Sequence, residues 1–109
     1  MNLIIGMFII TGLLLSVLSI PMILKIVKPN GLYGFRVKKT MENPDIWYAV
    51  NSYSGKWLLG TGLVIVAAAI GLSFFPTLSI DAYALGVLAV FVIAFAISIV
   101  ASVRYMNSL

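Results

Sequence analysis

ENPDIWYAVNSYSGKWLLGTGLVIVAAAIGLSFF, residues 42–75, changes character half-way along while keeping one helical register. Asn43 suits an N-cap, Pro44 the first helical position, and Asp45 complements the positive end of the helix dipole. From there Ile46, Val50, Tyr53 and Trp57 recur as an apolar and aromatic stripe. Asp45, Ala49, Ser52 and Lys56 form a more polar face, and Trp47, Asn51, Ser54 and Leu58 a mixed one. The spacing predicts an amphipathic helix over 44–57. Residues 58–75 then carry no charge at all, which is the pattern of a membrane span. As a single helix, 44–75 is about 48 Å long, well beyond a hydrocarbon core of ~30 Å. The first part therefore lies in the headgroup plane or extends the span out of the membrane. Gly55, Gly60 and Gly62 allow a bend between the two parts.

Two further uncharged runs flank this stretch, at 3–24 and 82–103. Each would make a helix of about 33 Å, enough to cross a bilayer. The first reads as a span rather than a signal peptide. Its first charged side chain, Lys25, comes after the apolar run, and no small-residue cleavage site follows. Pro21 sits near its end, where it can kink the helix. Between the second and third spans, Pro76 ends one helix, and Ser79 or Asp81 can cap the next. The expected architecture is all-α: one membrane domain over 1–109, with helices near 2–27, 44–75 and 80–106. The second is long, or broken near Gly55.

Composition supports the same class. The chain is 62% hydrophobic and 9% charged, where a soluble domain carries ~25% charged residues. Its mean hydropathy is +1.15. There is no Cys and no His, so a disulfide framework, the usual zinc, haem and iron–sulfur ligand sets, thiol nucleophiles and imidazole bases are all ruled out. No cofactor or metal site is expected. The net charge of +4 fits a membrane surface better than nucleic acid, because basic residues gather beside spans on the cytoplasmic side. Lys25, Lys28, Arg36, Lys38, Lys39 and Lys56 all belong to the first connection or its borders. Arg104 lies in the C-terminal tail, and the second connection has only Asp81. The positive-inside rule thus places the 25–57 loop and the C-terminus in the cytoplasm, and the N-terminus outside.

The 25–57 segment is far longer than an ordinary connection of ~4–6 residues. Asn30–Gly31 signals a turn. Two readings of its polar and aromatic groups stay open. One is an interfacial anchor, with Trp and Tyr at headgroup level and Lys38 and Lys39 on anionic lipid. The other is a binding surface or polar cavity lined by Arg36, Glu42, Asn43, Trp47 and Asn51. Asn51 needs hydrogen-bond partners at the membrane boundary. Arg36 or a loop carbonyl would serve without any ligand.

KPNGLYGFRVKKTMENPDIWYAVNSYSGKW, residues 28–57, resembles the signature of the SdpI family of small bacterial membrane proteins, with their YfhL-type short members. That signature is a Pro-Asn turn, a Gly-Phe-Arg step, a Thr, and an Asn shortly before a Trp, with an Asn and a Gly following at helical spacing. The matching positions are Pro29, Asn30, Tyr33, Gly34, Phe35, Arg36, Thr40, Asn43, Trp47, Asn51 and Gly55. The three-span arrangement resembles the family's C-terminal domain; longer members carry an additional N-terminal membrane region. The resemblance implies immunity: family members protect a producing cell from a secreted, membrane-active peptide toxin, and some also hold a repressor at the membrane. It makes Arg36, Thr40, Asn43, Trp47, Asn51 and Gly55 the expected functional surface, in the membrane of a bacterial cell. The expected partners are a peptide toxin, membrane lipids and, since three helices bury little surface, a second copy of the chain; nucleic acid is not expected.

A small oligomeric transporter or channel is the alternative, although no span holds the mid-membrane ionisable group that coupling normally uses. An enzyme is not expected, because no nucleophile–base spacing stands out. Small residues four apart, Gly12 with Ser16, Ala67 with Gly71, Ala82 with Gly86 and Ala94 with Ser98, allow close helix approach within the protein, between copies or against a toxin helix.

Overall fold

The computed structural model describes residues 2–109 and is all-helical among them. Helix α1 spans Asn2–Ile23, α2 Lys38–Glu42, α3 Pro44–Leu72 and α4 Ile80–Asn107. Helices α1, α3 and α4 are each long and apolar enough to cross a membrane.

Helix α1 runs through Pro21 and stops at Ile23, short of the expected residue 27. Lys25 takes the left-handed conformation, φ 61°. Its N–H donates to the Met22 carbonyl at 3.2 Å, and the Ile26 N–H to that of Pro21 at 3.1 Å. This is a Schellman stop built on lysine instead of the usual glycine. The sequence shows no glycine there, so the stop is not visible in it.

The start of α3 follows the expected chemistry. Asn43 Oδ1 accepts from the N–H groups of Asp45, at 3.0 Å, and Ile46, at 3.4 Å, with Pro44 in the first turn. The helix then runs without a break through Gly55, Gly60 and Gly62 to Leu72. At about 44 Å it is longer than the membrane core, and the excess lies at its start. The buried face differs from the apolar stripe. Trp47, Val50, Asn51, Ser52 and Gly55 are buried, while Trp57 is exposed. Packing against the rest of the chain selects the face that combines small residues with groups able to bond backbone. After the turn at Pro76, Ser79 Oγ accepts from the Ala82 N–H at 3.1 Å and caps α4.

Helix α3 is the centre, with α1 and α4 each packed along it. The α1–α3 seam is built on glycine. A Cβ added at Gly12 would lie 2.6 Å from the Gly62 carbonyl oxygen, and one at Gly55 would lie 2.9 Å from Ile23 Cγ1 and 3.1 Å from the Ser19 carbonyl. Gly12 and Ser16 therefore serve internal packing. Ala67 and Gly71 are exposed. At the end of the bundle away from the 24–43 segment, Ile65, Tyr83 and Val87 form the core, packed by Phe8, Leu72 and Phe91. The Tyr83 hydroxyl donates to the Ala69 carbonyl at 2.7 Å, which satisfies the one polar atom there. Phe8 and Tyr83, on α1 and α4, meet with ring centroids 6.1 Å apart.

Candidate functional site

Residues 24–43 fold back as a cap on the first turns of α3. The cap begins with Asn30. Its Oδ1 accepts from the N–H groups of Leu32 and Tyr33, both at 2.8 Å, and its Nδ2 donates to the Lys28 carbonyl at 2.7 Å. This side-chain turn aims the chain at α3, where Gly34 arrives with φ 119°. A Cβ at Gly34 would stand 2.8 Å from Asn51 Oδ1 and 2.9 Å from Trp47 Cη2. Both the conformation and the space require glycine.

Gly34 delivers the backbone of Phe35 to Asn51. The Phe35 N–H donates to Asn51 Oδ1 at 2.5 Å, which fixes the orientation of the amide, since an NH2 group there would face another donor. Asn51 Nδ2 donates to the Trp47 carbonyl at 2.9 Å and reaches the Phe35 carbonyl at 3.5 Å. Asn51 is only 2% exposed. Its partners are loop backbone and its own helix, not Arg36. The Phe35 carbonyl also lies 2.9 Å from Thr40 Oγ1, which accepts from the Val37 N–H at 3.0 Å. Thr40 thereby starts α2 and ties it to the same point. Trp47 is fully buried, and its indole N–H donates to the Val27 carbonyl at 2.8 Å.

Beside the cap, α3 also holds the end of α1, and the cap itself reaches α4. Ser52 Oγ donates to the Ile23 carbonyl at 2.8 Å, satisfying one of the free carbonyls at the end of α1. Lys39 Nζ donates to the Met106 carbonyl at 3.1 Å, so a cation sits at the negative end of α4. Tyr53 stacks on Tyr105 nearby, with centroids 4.3 Å apart.

The six expected positions therefore divide. Thr40, Trp47 and Asn51 converge on the backbone of Val27 and Phe35. Asn43 caps α3, and Gly55 sits in the α1–α3 seam. Arg36 stands apart, exposed, with Nη1 folded over Gly31. Glu42 is exposed as well, so no single polar cavity gathers Arg36, Glu42, Asn43, Trp47 and Asn51. The polar atoms of Thr40, Trp47 and Asn51 are taken up by backbone. What the cap offers outward is cationic: Lys25, Lys28, Arg36 and Lys38 are all exposed.

The family model SdpI, described as the SdpI/YfhL protein family, matches residues 25–102, well over half of the chain. The chain belongs to the SdpI/YfhL family. The match runs from the cap through α2 and α3 into α4, so the family's defining segment in this SdpI/YfhL protein is a cap together with the helices that hold it. No curated protein and no solved structure matches the chain.

Periodicity shows Ser52 only as part of a polar face, and composition shows Lys39 only as a cation suited to anionic lipid; neither reveals the bonds they make. Nothing local marks either, because each bonds a carbonyl far away in the chain. Ser102, fully buried on α4, has an Oγ without a hydrogen-bond partner.

Proposed function

We propose that this protein is an immunity protein of a bacterial cell membrane, protecting the cell from a secreted, membrane-active peptide toxin. The observation that carries the proposal is the family match over 25–102, a segment that forms one docked unit of cap and helices. The protection acts within the bilayer: the unit presents long apolar helix faces to lipid, where such a toxin would assemble or insert. The cap and the C-terminus face the cytoplasm and the N-terminus faces outward, because the cations of the cap and Arg104 share one end of the bundle and the opposite turn carries only Asp81.

Two experiments test this. Cells with and without the gene are challenged with culture supernatant from a relative that secretes a membrane-active peptide. The expected result is markedly lower survival without the gene, and equal survival contradicts the proposal. Orientation is read by thiol labelling, because the chain has no native cysteine. Gly31→Cys is expected to resist an impermeant reagent in intact cells and Thr77→Cys to react; the reverse pattern overturns the orientation.

A further inference from the structure

We infer that the turn at 28–36 is a docking tip for an anionic lipid surface, with Leu32 entering the acyl-chain boundary and Lys28 and Arg36 on the headgroup phosphates around it. Leu32 is 91% exposed, more than any other large apolar side chain among the described residues. It is held out by defined bonds. The Leu32 N–H donates to Asn30 Oδ1 at 2.8 Å, and Asn30 Nδ2 donates to the Lys28 carbonyl at 2.7 Å, so one side-chain turn fixes Lys28 and Leu32 together. Arg36 reaches the same turn: its Nη1 lies 3.9 Å from where a Cβ on Gly31 would stand, beside the residue that precedes Leu32.

Depth sets the tip beside the bilayer. Helix α1 is uncharged up to Lys25 and α3 is uncharged from Leu58 onward, so these residues mark the edge of the hydrocarbon. Tyr33 and Phe35 line one groove with Leu18, Met22 and Leu58. The chain therefore leaves α1 and comes back to the level of its last turns, and Leu32 is the neighbour of Tyr33. The start of α3 lies about 21 Å farther out along the helix. A soluble partner would meet that far end, whereas the tip meets lipid. Charge selects the headgroup. Residues 24–41 carry Lys25, Lys28, Arg36, Lys38 and Lys39 and no acid. Lys39 is engaged by the Met106 carbonyl, and the other four are exposed. An apolar side chain within a collar of cations is the composition of an interfacial anchor, and each such cation favours an anionic leaflet. The inference stands independently of the immunity proposal.

The test is spin labelling of the full chain in nanodiscs of phosphatidylglycerol mixed with phosphatidylcholine, or of phosphatidylcholine alone. The chain has no native cysteine, so Leu32→Cys and Met41→Cys each carry one nitroxide, and collision with oxygen against a water-soluble nickel chelate separates immersed from aqueous label. With phosphatidylglycerol, the label at 32 is expected to be immersed and the label at 41, on α2, aqueous. In phosphatidylcholine alone, the label at 32 is expected to shift toward water. Lys28→Gln with Arg36→Gln is expected to lower the ratio of immersed to aqueous label at 32 roughly 25-fold in phosphatidylglycerol, the product of about fivefold for each cation. All these positions are exposed, so the variants keep the fold, and an unchanged label at 41 verifies it. An aqueous label at 32 in phosphatidylglycerol overturns the inference. So does equal immersion in the two lipids, or an undiminished ratio in the double glutamine variant. Dipolar broadening between labels at 32, which would put a second copy of the chain on the tip, overturns it as well.

Discussion

Asn51 does the work of a backbone strand partner with a side chain. It accepts from the Phe35 N–H and reaches the Phe35 carbonyl, so an otherwise irregular segment acquires a fixed seat on α3. Asn51→Ala is expected to destabilise the protein by about 1–3 kcal/mol, the usual cost of stranding a buried backbone donor; denaturant unfolding in micelles measures it. Trp47 combines full burial with a hydrogen bond to Val27. Trp47→Ala is expected to cost about 3–5 kcal/mol, and Trp47→Phe distinctly less, because it keeps most of the apolar volume and loses mainly the indole N–H. Gly34→Ala is expected to be as damaging as Asn51→Ala, since an added Cβ meets Asn51 Oδ1 at 2.8 Å from a backbone of φ 119°. A Gly34→Ala variant as stable as wild type would show that the cap does not sit on α3 in this way.

Glycines separate the buried seam from the lipid-facing surface of the helices. Gly12 and Gly62 lie where an added Cβ would meet the opposing backbone, whereas Gly60 and Gly71 have open space within 4 Å. Alanine is expected to act with opposite signs: destabilising at Gly12 and Gly62, and neutral to stabilising by up to about 1 kcal/mol at Gly60 and Gly71, where only helix propensity changes. Thermal unfolding of the four variants checks this, and equal effects would deny the seam. The three long helices could be read from the sequence because each contains a long uncharged run and because Asn43, Pro44 and Ser79 carry local capping chemistry. The end of α1 could not, since its left-handed residue is Lys25, which nothing local distinguishes from any other lysine. Helix α2 was also hidden: its start depends on Thr40 reaching back to Val37, and its position on contacts with α3. The buried face of α3 is set by carbonyls at Ile23, Val27 and Phe35, and helical periodicity carries no information about those partners.

At the scale of the whole molecule, a central helix longer than the membrane core carries a flanking helix on each side and a cap on its protruding end. The family signature was legible as residues, yet its geometry was not. Read along the sequence, Arg36, Asn43, Trp47 and Asn51 suggest one polar surface. Folded, Trp47 and Asn51 hold the cap, Asn43 caps α3, and Arg36 lies among the exposed cations. Immunity variants should therefore fall into two groups: changes at Trp47 and Asn51 that lower stability and abundance, and Arg36→Gln, which leaves abundance unchanged. Membrane fractionation beside the survival assay sorts them. The most direct measurement of the central claim, that Asn51 clasps the cap to α3, is hydrogen exchange at the Phe35 amide in micelles. This amide is expected to exchange far more slowly than exposed loop amides in the wild-type protein and to reach their rate in Asn51→Ala. A Phe35 amide that exchanges at the loop rate in the wild-type protein, or stays protected without Asn51, would contradict it.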